Sequence, residues 1–378
     1  MYAQLTLTTS RHSPRPASAY ENQEQRFSSA FEIIRSAIAT RAFPGASIAV
    51  TYRGDVVALQ GFGRFTYGKD SRKVDTETIY DLASVTKVVA TTAMAMLLFE
   101  RGELNLDAKV VDLLPDFGAD DERRRSITLR MLLAHSSGLP AYERLFEKAN
   151  SREELIHLAA TVPLACDPMT HAEYSDVGFI LLGEILSQLA AEPMDSYCQH
   201  EVFGPLYMEN TGFCPAESVR DRIPPTVKDE KIRKKVVQGE VHDENAWVMG
   251  GVAGHAGVFG TAYDVALFGL CMLRVGSPIL RSQTVARFTQ REELPAGTSR
   301  ALGWDTPSQP SQSGKYFSAR SFGHLGYTGT SLWCDPSRQL SITLLTNRVW
   351  PDCSSQAIKE VRPRFHDAII EALEGSQG

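Results

Sequence analysis

Tyr80-Asp-Leu-Ala-Ser-Val-Thr-Lys-Val-Val-Ala90 stands out in this chain because Lys87 follows Ser84 by three residues. On a helix, side chains at this spacing lie on the same face, one turn apart. A serine hydroxyl is a poor nucleophile at neutral pH unless a neighbouring base takes its proton, and such a lysine can supply the base. The pattern S-x-x-K occurs nowhere else in the sequence. It therefore predicts a nucleophilic serine, although a serine N-cap followed by an unrelated lysine would look the same.

An apolar run follows Lys87 and predicts a buried helix from Ser84 to near Gly102. Ser84 would then lie at the N-terminus of this helix. Free backbone N–H groups and the helix dipole favour developing negative charge at such a position.

Predicted strands and helices are distributed unevenly along the chain. Hairpins are predicted at 46–63 and 330–347, a last helix at about 355–373, and the residues between the hairpins are largely helical. We therefore expect an α/β fold in which both chain ends form one antiparallel sheet, flanked by helices and carrying a helical insert. The predicted boundaries are an N-terminal extension at 1–26 and one domain at 27–378, with an α/β part at 27–82 and 255–378 and a helical part at 83–254.

Composition narrows the classes of partner. The chain is 43% hydrophobic and 22% charged, a composition that is typical of globular proteins and argues against disorder. Its formal net charge of −6 argues against nucleic acid or an anionic membrane as the main partner. The basic segment 228–235 contains acids and is predicted to be a solvated loop. No run approaches the length of a transmembrane helix, and the first residues do not resemble a signal peptide. We therefore expect a cytoplasmic protein, unless a misassigned start hides an export signal.

The six cysteines show no C-x-x-C pair and no metal-binding spacing, so buried thiols are expected rather than disulfides. His242, Asp243, Glu244 and His255 lie close together in the sequence and would suit a metal. Their spacing is not that of an H-E-x-x-H helix, and the intervening glycines favour a tight turn beside the pocket. We expect no metal and no cofactor.

Two further segments complete a set with Ser84 and Lys87. Tyr174-Ser-Asp176 precedes a strongly amphipathic segment, and His324-Leu-Gly326 precedes a late strand. This order resembles the S-x-x-K, Y-S-N and K-T-G motifs of the serine β-lactamase and penicillin-binding protein superfamily. It is most similar to the branch that contains class C β-lactamases, D-alanyl-D-alanine carboxypeptidases and related esterases. The resemblance extends over nearly all of the chain after about residue 27 and includes the segments 132–139 and 323–336.

The resemblance implies a role for each matching residue. Ser84 would attack a carbonyl and form an acyl-enzyme, with either Lys87 or Tyr174 as the general base. The backbone N–H groups of Ser84 and Tyr327, the latter on the strand after Gly326, would form the oxyanion hole. Gly326, which has no side chain, would let substrate lie along that strand.

Three departures from the family pattern bear on the substrate. His324 and Leu325 replace the usual lysine and threonine, which weakens the usual site for a substrate carboxylate, and Asp176 replaces asparagine. The expected function is therefore a serine hydrolase for ester or amide acyl substrates with weak β-lactam turnover. Its partner would be a small acyl compound or a peptidoglycan-derived peptide. The alternatives are a D-alanyl-D-alanine carboxypeptidase or penicillin-binding protein, and a sensor that stays acylated.

Overall fold

A five-stranded antiparallel sheet is the central element of the structure. The structure is a computed structural model, and it describes residues 21–118 and 121–375. The strands of the described residues, in chain order, are β1 Gly45–Tyr52, β2 Asp55–Gly63, β3 Tyr80–Asp81, β4 Gly212–Phe213, β5 Val227–Asp229, β6 Lys235–Val237, β7 Val258–Gly260, β8 Phe322–Leu325, β9 Ser331–Asp335 and β10 Leu340–Thr346. The large sheet has the order β2-β1-β10-β9-β8, and β3-β7-β4 form a small second sheet. Both chain ends thus meet in one sheet, as predicted.

Local turn chemistry sets the register of the first hairpin. Tyr52 pairs with Asp55, so Arg53 and Gly54 form the turn, and both have positive φ angles of 52° and 97°. Turns of this kind match the twist of the flanking strands. On the other side of β1, Ala46 pairs with Thr346 of β10, and this pairing joins the N-terminal and C-terminal parts of the chain.

The helices pack on both faces of the large sheet. Their bounds are α1 Gln23–Arg26, α2 Ser28–Ala39, α3 Ala93–Arg101, α4 Val110–Leu113, α5 Leu129–Leu133, α6 Arg152–Thr161, α7 Asp176–Ala190, α8 Met194–Cys198, α9 Glu244–Val248, α10 Ala262–Leu273, α11 Ser282–Thr289 and α12 Ile358–Glu374. Helices α2 and α12 pack together on one face, and α10 covers the other. Successive strand residues point to opposite faces, so Ile48 and Val50 join the α2–α12 core while Ala49 joins the core beneath α10.

The helix that carries Lys87 differs from the regular α-helix predicted from Ser84. It begins as a 3₁₀ turn at Ala83–Val85, continues as a π-helix at Lys87–Thr92 and becomes α-helical only in α3. The whole helical run Ala83–Arg101 is long and apolar enough for a membrane span, contrary to our expectation that no run approaches that length. Because 83% of its apolar window is buried inside the domain, this composition is that of a core helix.

The structure also differs in detail from three smaller expectations. The basic segment 228–235, predicted as a loop, contributes its ends to the hairpin β5–β6, and residues 230–234 form the loop between these strands. Residues 1–20 of the predicted extension lie outside the described residues, whereas α1 follows directly and Gln23 Oε1 accepts a hydrogen bond from Leu59 N at 2.8 Å. All six cysteines are free, but only three are buried and Cys214 is exposed. The division of the domain at residues 82 and 255 stays a prediction.

Candidate active site

Ser84 lies in a turn that is held from several sides. Ala83, just before it, has a positive φ of 46°, a conformation that costs free energy for a residue with a side chain. Asp81 supports this turn, because its carboxylate accepts hydrogen bonds from Ala83 N at 2.8 Å and from His242 N at 2.6 Å. Burial raises the pKa of Asp81 to about 6 in spite of these two hydrogen bonds. The strained turn is therefore fixed by tertiary contacts as well as by its own sequence.

The three residues predicted to be catalytic meet at one point. Lys87 Nζ lies 3.0 Å from Ser84 Oγ, and Tyr174 Oη lies 2.6 Å from the same oxygen. Lys87 is fully buried, and its Nζ lies 4.8 Å from the centroid of the Tyr174 ring. A serine between two groups that can exchange protons is the arrangement needed for nucleophilic catalysis.

Asp176 joins this group from the start of α7. Ser175 caps the helix by accepting a hydrogen bond from Gly178 N at 3.0 Å, which places Tyr174 and Asp176 on either side of the cap. Asp176 Oδ1 lies 2.6 Å from Lys87 Nζ and 3.1 Å from Tyr174 Oη. Burial lowers the pKa of Lys87, and Asp176 opposes that effect. Burial and the Asp176 charge raise the pKa of Tyr174 well above 10.

The His242–His255 cluster borders the cavity without converging on a metal position. His255 O accepts a hydrogen bond from Lys87 Nζ at 2.9 Å, and the His255 ring pairs with Asp243 at 2.7 Å. Burial disfavours the Asp243 carboxylate, but His255, the Ala246 N–H and Lys87 outweigh it and hold its pKa at about 2. His242 instead stacks on Tyr327, with ring centroids 5.7 Å apart. Within residues 21–118 and 121–375, no group of three or more potential ligands could hold a metal ion.

His324 is a buried residue of the edge strand β8. Its Nδ1 lies 2.8 Å from Leu325 O, and its Nε2 has no hydrogen-bond partner among the described residues. Burial, Lys87 and Arg300 lower the pKa of His324 to about 3, so the ring is neutral at pH 7. A neutral ring cannot form an ion pair with a substrate carboxylate, which agrees with the interpretation of the sequence.

Gly326 is required by a close approach of two backbone segments. A Cβ atom there would lie 2.6 Å from Leu82 O and would also collide with Thr330 Oγ1. The same Thr330 hydroxyl donates to Leu82 O at 2.8 Å and ties this segment to the turn of Ser84. Tyr327 was expected on a strand, but it lies in the turn after β8, with 53% of its surface exposed. The absence of a side chain at Gly326 thus positions the segment beside Ser84.

Two residues that the sequence analysis did not single out support Tyr174. The His135 ring lies between Tyr174 and Phe179, with centroids 4.8 and 5.0 Å away, and its Nδ1 accepts a hydrogen bond from Ser175 N at 3.0 Å. Burial, Arg300 and Lys87 hold the pKa of His135 well below 6.5, so it is a neutral packing residue. The Arg300 guanidinium lies 5.7 Å from the Tyr174 ring centroid. His135 lies in the segment 132–139 that resembles the family, and this resemblance was the sequence feature that could have identified it.

The site opens into a cavity of about 750 Å³ that extends from Ser84 to helix α12. Arg362 lines its far end and was also missed by the sequence analysis. The sequence contained a feature that could have identified it, because Arg362 occupies the buried face of α12 together with Ile358, Phe365 and Ile369. A charged residue at an apolar helix position is unusual and invites a functional explanation.

Comparisons with known proteins show the family of the chain. A model of the Beta-lactamase family matches residues 31–359. The chain is 34% identical to the N-acetylmuramyl-L-alanine amidase of Bacillus subtilis strain 168, over 81% of this chain and 77% of that protein. It is 31% identical to a Salmonella agona protein provisionally named D-alanyl-D-alanine carboxypeptidase, over 72% of this chain and 70% of that protein.

Solved structures share the fold at lower sequence identity. EstCE1, a hydrolase with promiscuous acyltransferase activity, superimposes with a TM-score of 0.76 at 22% identity, over 92% of this chain and 100% of that chain. The class C β-lactamase from Rhodobacter sphaeroides gives 0.71 at 21% identity, over 94% of this chain and 100% of that one. The chain therefore belongs to the Beta-lactamase family and is a hydrolase of the serine β-lactamase family, with an amidase and a provisionally named carboxypeptidase among its relatives.

Proposed function

We propose that Ser84 attacks ester or amide acyl substrates and forms an acyl-enzyme that water then hydrolyses, with weak turnover of β-lactams. The observation that carries this proposal is the position of Ser84 Oγ, 3.0 Å from Lys87 Nζ and 2.6 Å from Tyr174 Oη. An acyl-enzyme divides one difficult hydrolysis into two easier steps.

Lys87 is the general base in this proposal. Asp176 Oδ1 and His255 O can only accept, so Lys87 donates one hydrogen to each of them. A neutral amine held in this way has its lone pair left for the Ser84 hydroxyl. Burial lowers the pKa of Lys87 and raises that of Tyr174, and both directions favour the lysine as the base.

Tyr174 supplies the proton to the leaving group. The Ser84 proton passes to Lys87, the tyrosine hydroxyl protonates the departing nitrogen or oxygen, and Lys87 then returns a proton to Tyr174. Asp176 Oδ1 lies within hydrogen-bond distance of both groups, so it offers a path for that return. Ser84 and Tyr327 line the same cavity, and their backbone N–H groups are the donors proposed for the tetrahedral oxyanion.

Amide substrates, including peptidoglycan-derived peptides, are favoured over simple esters as the natural class. An amidase and a carboxypeptidase each break an amide bond, and the relatives from Bacillus subtilis and Salmonella agona carry these names. The cavity of about 750 Å³ suits a substrate of dipeptide size or larger. β-Lactams are expected to react slowly because the neutral His324 cannot hold their carboxylate.

Intact-protein mass spectrometry tests the nucleophile. The wild type is incubated with benzylpenicillin and, separately, with p-nitrophenyl acetate, beside Ser84→Ala and the exposed control Ser218→Ala. We expect an acyl-sized mass gain in the wild type and the control, and none in Ser84→Ala. A gain that survives Ser84→Ala would contradict the proposal. Faster hydrolysis of nitrocefin than of the ester would contradict weak β-lactam turnover.

A D-alanyl-D-alanine carboxypeptidase is the second candidate, favoured by the Salmonella agona relative. Such an enzyme must hold a terminal carboxylate, which His324 cannot do as a neutral ring. Release of D-alanine from an acyl-D-alanyl-D-alanine peptide, measured beside Ser84→Ala, distinguishes this activity from that of an amidase. An acylated mass that persists for hours without product would instead indicate the sensor alternative.

A further inference from the structure

Segment 254–258 lies along the helical run that carries the proposed base. Lys87 Nζ donates a hydrogen bond to His255 O at 2.9 Å, and Thr91 Oγ1 donates to Gly254 O at 2.6 Å. The segment is joined to the same part of the chain by two more hydrogen bonds, those of Val258 with Leu82 and Thr86. The position of this segment therefore decides where the His255 carbonyl oxygen meets Lys87.

The ring of His255 is held by Asp243. His255 is buried, with 1% of its surface exposed, and its Nε2 lies 2.7 Å from Asp243 Oδ1. Burial opposes ionisation of Asp243, but its hydrogen-bonding partners and Lys87 hold its pKa at about 2, so the carboxylate is ionised at pH 7. A carboxylate can only accept, and His255 Nε2 therefore carries the proton. Asp243 is also the N-cap of α9, where it accepts a hydrogen bond from Ala246 N at 2.8 Å, so one carboxylate anchors both the ring and the helix.

His255 differs from the other buried histidines of the described residues, which are His135, His324 and His366. The Nδ1 atoms of His324 and His366 lie 2.8 and 2.9 Å from a backbone carbonyl oxygen, and His135 accepts a hydrogen bond from a backbone N–H. Within the described part of the chain, only His255 of these four pairs with a carboxylate. Burial of a charged partner costs free energy, so an ionised carboxylate is more than the packing of a ring requires.

Asp243 also acts on Lys87 through its charge. Burial lowers the pKa of Lys87, Asp176 and then Asp243 oppose this effect, and Arg300 adds to it. The other titratable side chains around Lys87 are neutral at pH 7, namely those of His135, Tyr174 and His324. The residue that holds the His255 ring thus also contributes to the electrostatics of the proposed base.

We propose that Asp243 and His255 are positioning residues of the hydrolase, which hold the His255 carbonyl oxygen on Lys87 Nζ and so direct the amine at Ser84 Oγ. This inference rests on the proposed function of Ser84 and Lys87 and extends it to a second set of side chains. The lone pair of a neutral amine points at the serine only while both hydrogens have their acceptors. Without Asp243, the ring no longer fixes segment 254–258, and Lys87 loses one of the two acceptors that orient it.

Two substitutions of His255 test this assignment by steady-state hydrolysis of p-nitrophenyl acetate. His255→Leu removes the donor to Asp243, and we expect kcat to fall by about 10²-fold with little change in KM, because a small displacement of a reacting group is costly. His255→Gln keeps an N–H that can reach Asp243 and should restore kcat to within about tenfold of the wild type. The exposed His171→Leu is the control and should retain the wild-type kcat.

Asp243→Asn tests the charge of the pair. Its side-chain oxygen can still accept the hydrogen bond from Ala246 N, but the negative charge that raises the pKa of Lys87 is lost. We therefore expect the acidic limb of the kcat/KM profile to move to lower pH, by less than about one unit. A residue with only a structural role would leave this limb in place.

The remaining outcomes are equally decisive. A kcat within about threefold of the wild type in folded His255→Leu, or no recovery in His255→Gln, would overturn the inference. If His255→Leu fails to fold by circular dichroism, Asp243→Asn replaces it, and an unchanged acidic limb then overturns the inference. If ester hydrolysis is absent or survives Ser84→Ala, the proposed function fails. Crystal structures of the wild type and His255→Leu then decide the positioning role: loss of the contact between Lys87 Nζ and the carbonyl oxygen at position 255 supports it, and retention of that contact overturns it.

Discussion

The buried basic side chains at the two ends of the cavity differ in whether a carboxylate contacts them. At the Ser84 end, the buried Lys87 has a carboxylate at 2.6 Å and a carbonyl oxygen at 2.9 Å. At the α12 end, the buried Arg362 donates, among the described residues, to neutral oxygens at 3.1 and 3.4 Å and to no carboxylate. We call these the paired end and the unpaired end.

This difference indicates which end is complete without substrate. A buried amine that contacts a carboxylate and a carbonyl oxygen can be held in one position, and its pKa can be adjusted by these neighbours, as a general base requires. A buried cation without a counter-ion destabilises the folded protein. The paired end thus has the arrangement that a general base needs, whereas the described residues leave Arg362 at the unpaired end without a counter-ion.

Lys87→Met breaks the paired end most severely. It removes the proposed base and leaves the Asp176 carboxylate without its cation. We expect kcat/KM for p-nitrophenyl acetate to fall by about 10³-fold or more, since removal of one member of a catalytic group costs nearly as much as removal of all. The exposed Lys69→Met is the control and should retain activity. A loss below tenfold would show that Tyr174 or another group is the base.

Gly326→Ala disturbs the paired end without changing any charge. The new Cβ would collide with Leu82 O, so the segment of Tyr327 must move away from Ser84. We expect kcat/KM to fall by about 10²-fold, because small displacements at a reacting centre are costly. Urea unfolding should also show a loss of about 1–3 kcal/mol in the free energy of unfolding.

Gly375→Ala is the matched control for that substitution, because in the described part of the chain no atom outside its own helix backbone and its chain neighbours lies within 4 Å of the Cβ it would add. It should leave both measurements unchanged. Wild-type activity in Gly326→Ala would show that the close approach to Leu82 does not position the site.

Asp176→Asn removes the carboxylate that contacts Lys87, so that the paired end, like the unpaired end, has only neutral oxygens around its basic side chain among the described residues. Asp176 raises the pKa of Lys87 against the effect of burial, so loss of its charge lowers that pKa further. If Lys87 is the base, the acidic limb of the kcat/KM profile should move to lower pH by about one unit. The profile is measured with p-nitrophenyl acetate. A shift to higher pH, or an unchanged limb, would contradict a titrating Lys87.

Asp81→Asn concerns stability rather than turnover and extends the comparison to a buried anion. Burial raises the pKa of Asp81 from 3.8 to about 6, so the folded state binds a proton more tightly than the unfolded state between these values. The contribution of this carboxyl is therefore greatest below about pH 4 and is lost as pH rises through 6, a change on the order of 3 kcal/mol.

Urea unfolding at pH 4 and pH 7 measures that contribution by difference. Asp81→Asn should lack this decrease with rising pH, whereas the exposed control Asp55→Asn should keep the wild-type dependence. Identical pH dependence in wild type and Asp81→Asn would show that the buried carboxyl does not titrate in this range.

Local signals in the sequence predict much of the fold. The residues Thr128, Ser151 and Thr261 are of the types that N-caps favour, and each side chain accepts a hydrogen bond from the first turn of its helix. Turn residues and alternation predict the hairpins at both ends, and both form. These features depend on residues a few positions apart, so the sequence alone contains their cause.

Features that depend on distant partners differ from the predictions. The π-helical turn at Lys87–Thr92, for example, packs against α7, which begins at Asp176. Tyr327 is predicted on a strand, but the strand ends at Leu325. In each case tertiary contacts outweigh the local preference.

The sequence by itself determined which chemical groups this protein can use: one S-x-x-K pair, a tyrosine before a helix, and a histidine at the position of the lysine in the K-T-G motif. Only the tertiary structure decided which charges are paired. Asp176 reaches Lys87 across 89 positions of sequence, whereas Arg362 comes to lie beside Arg348 with no carboxylate in contact among the described residues. Electrostatic interactions depend on distance in space and on exclusion of water, and neither quantity can be read from the order of residues along the chain.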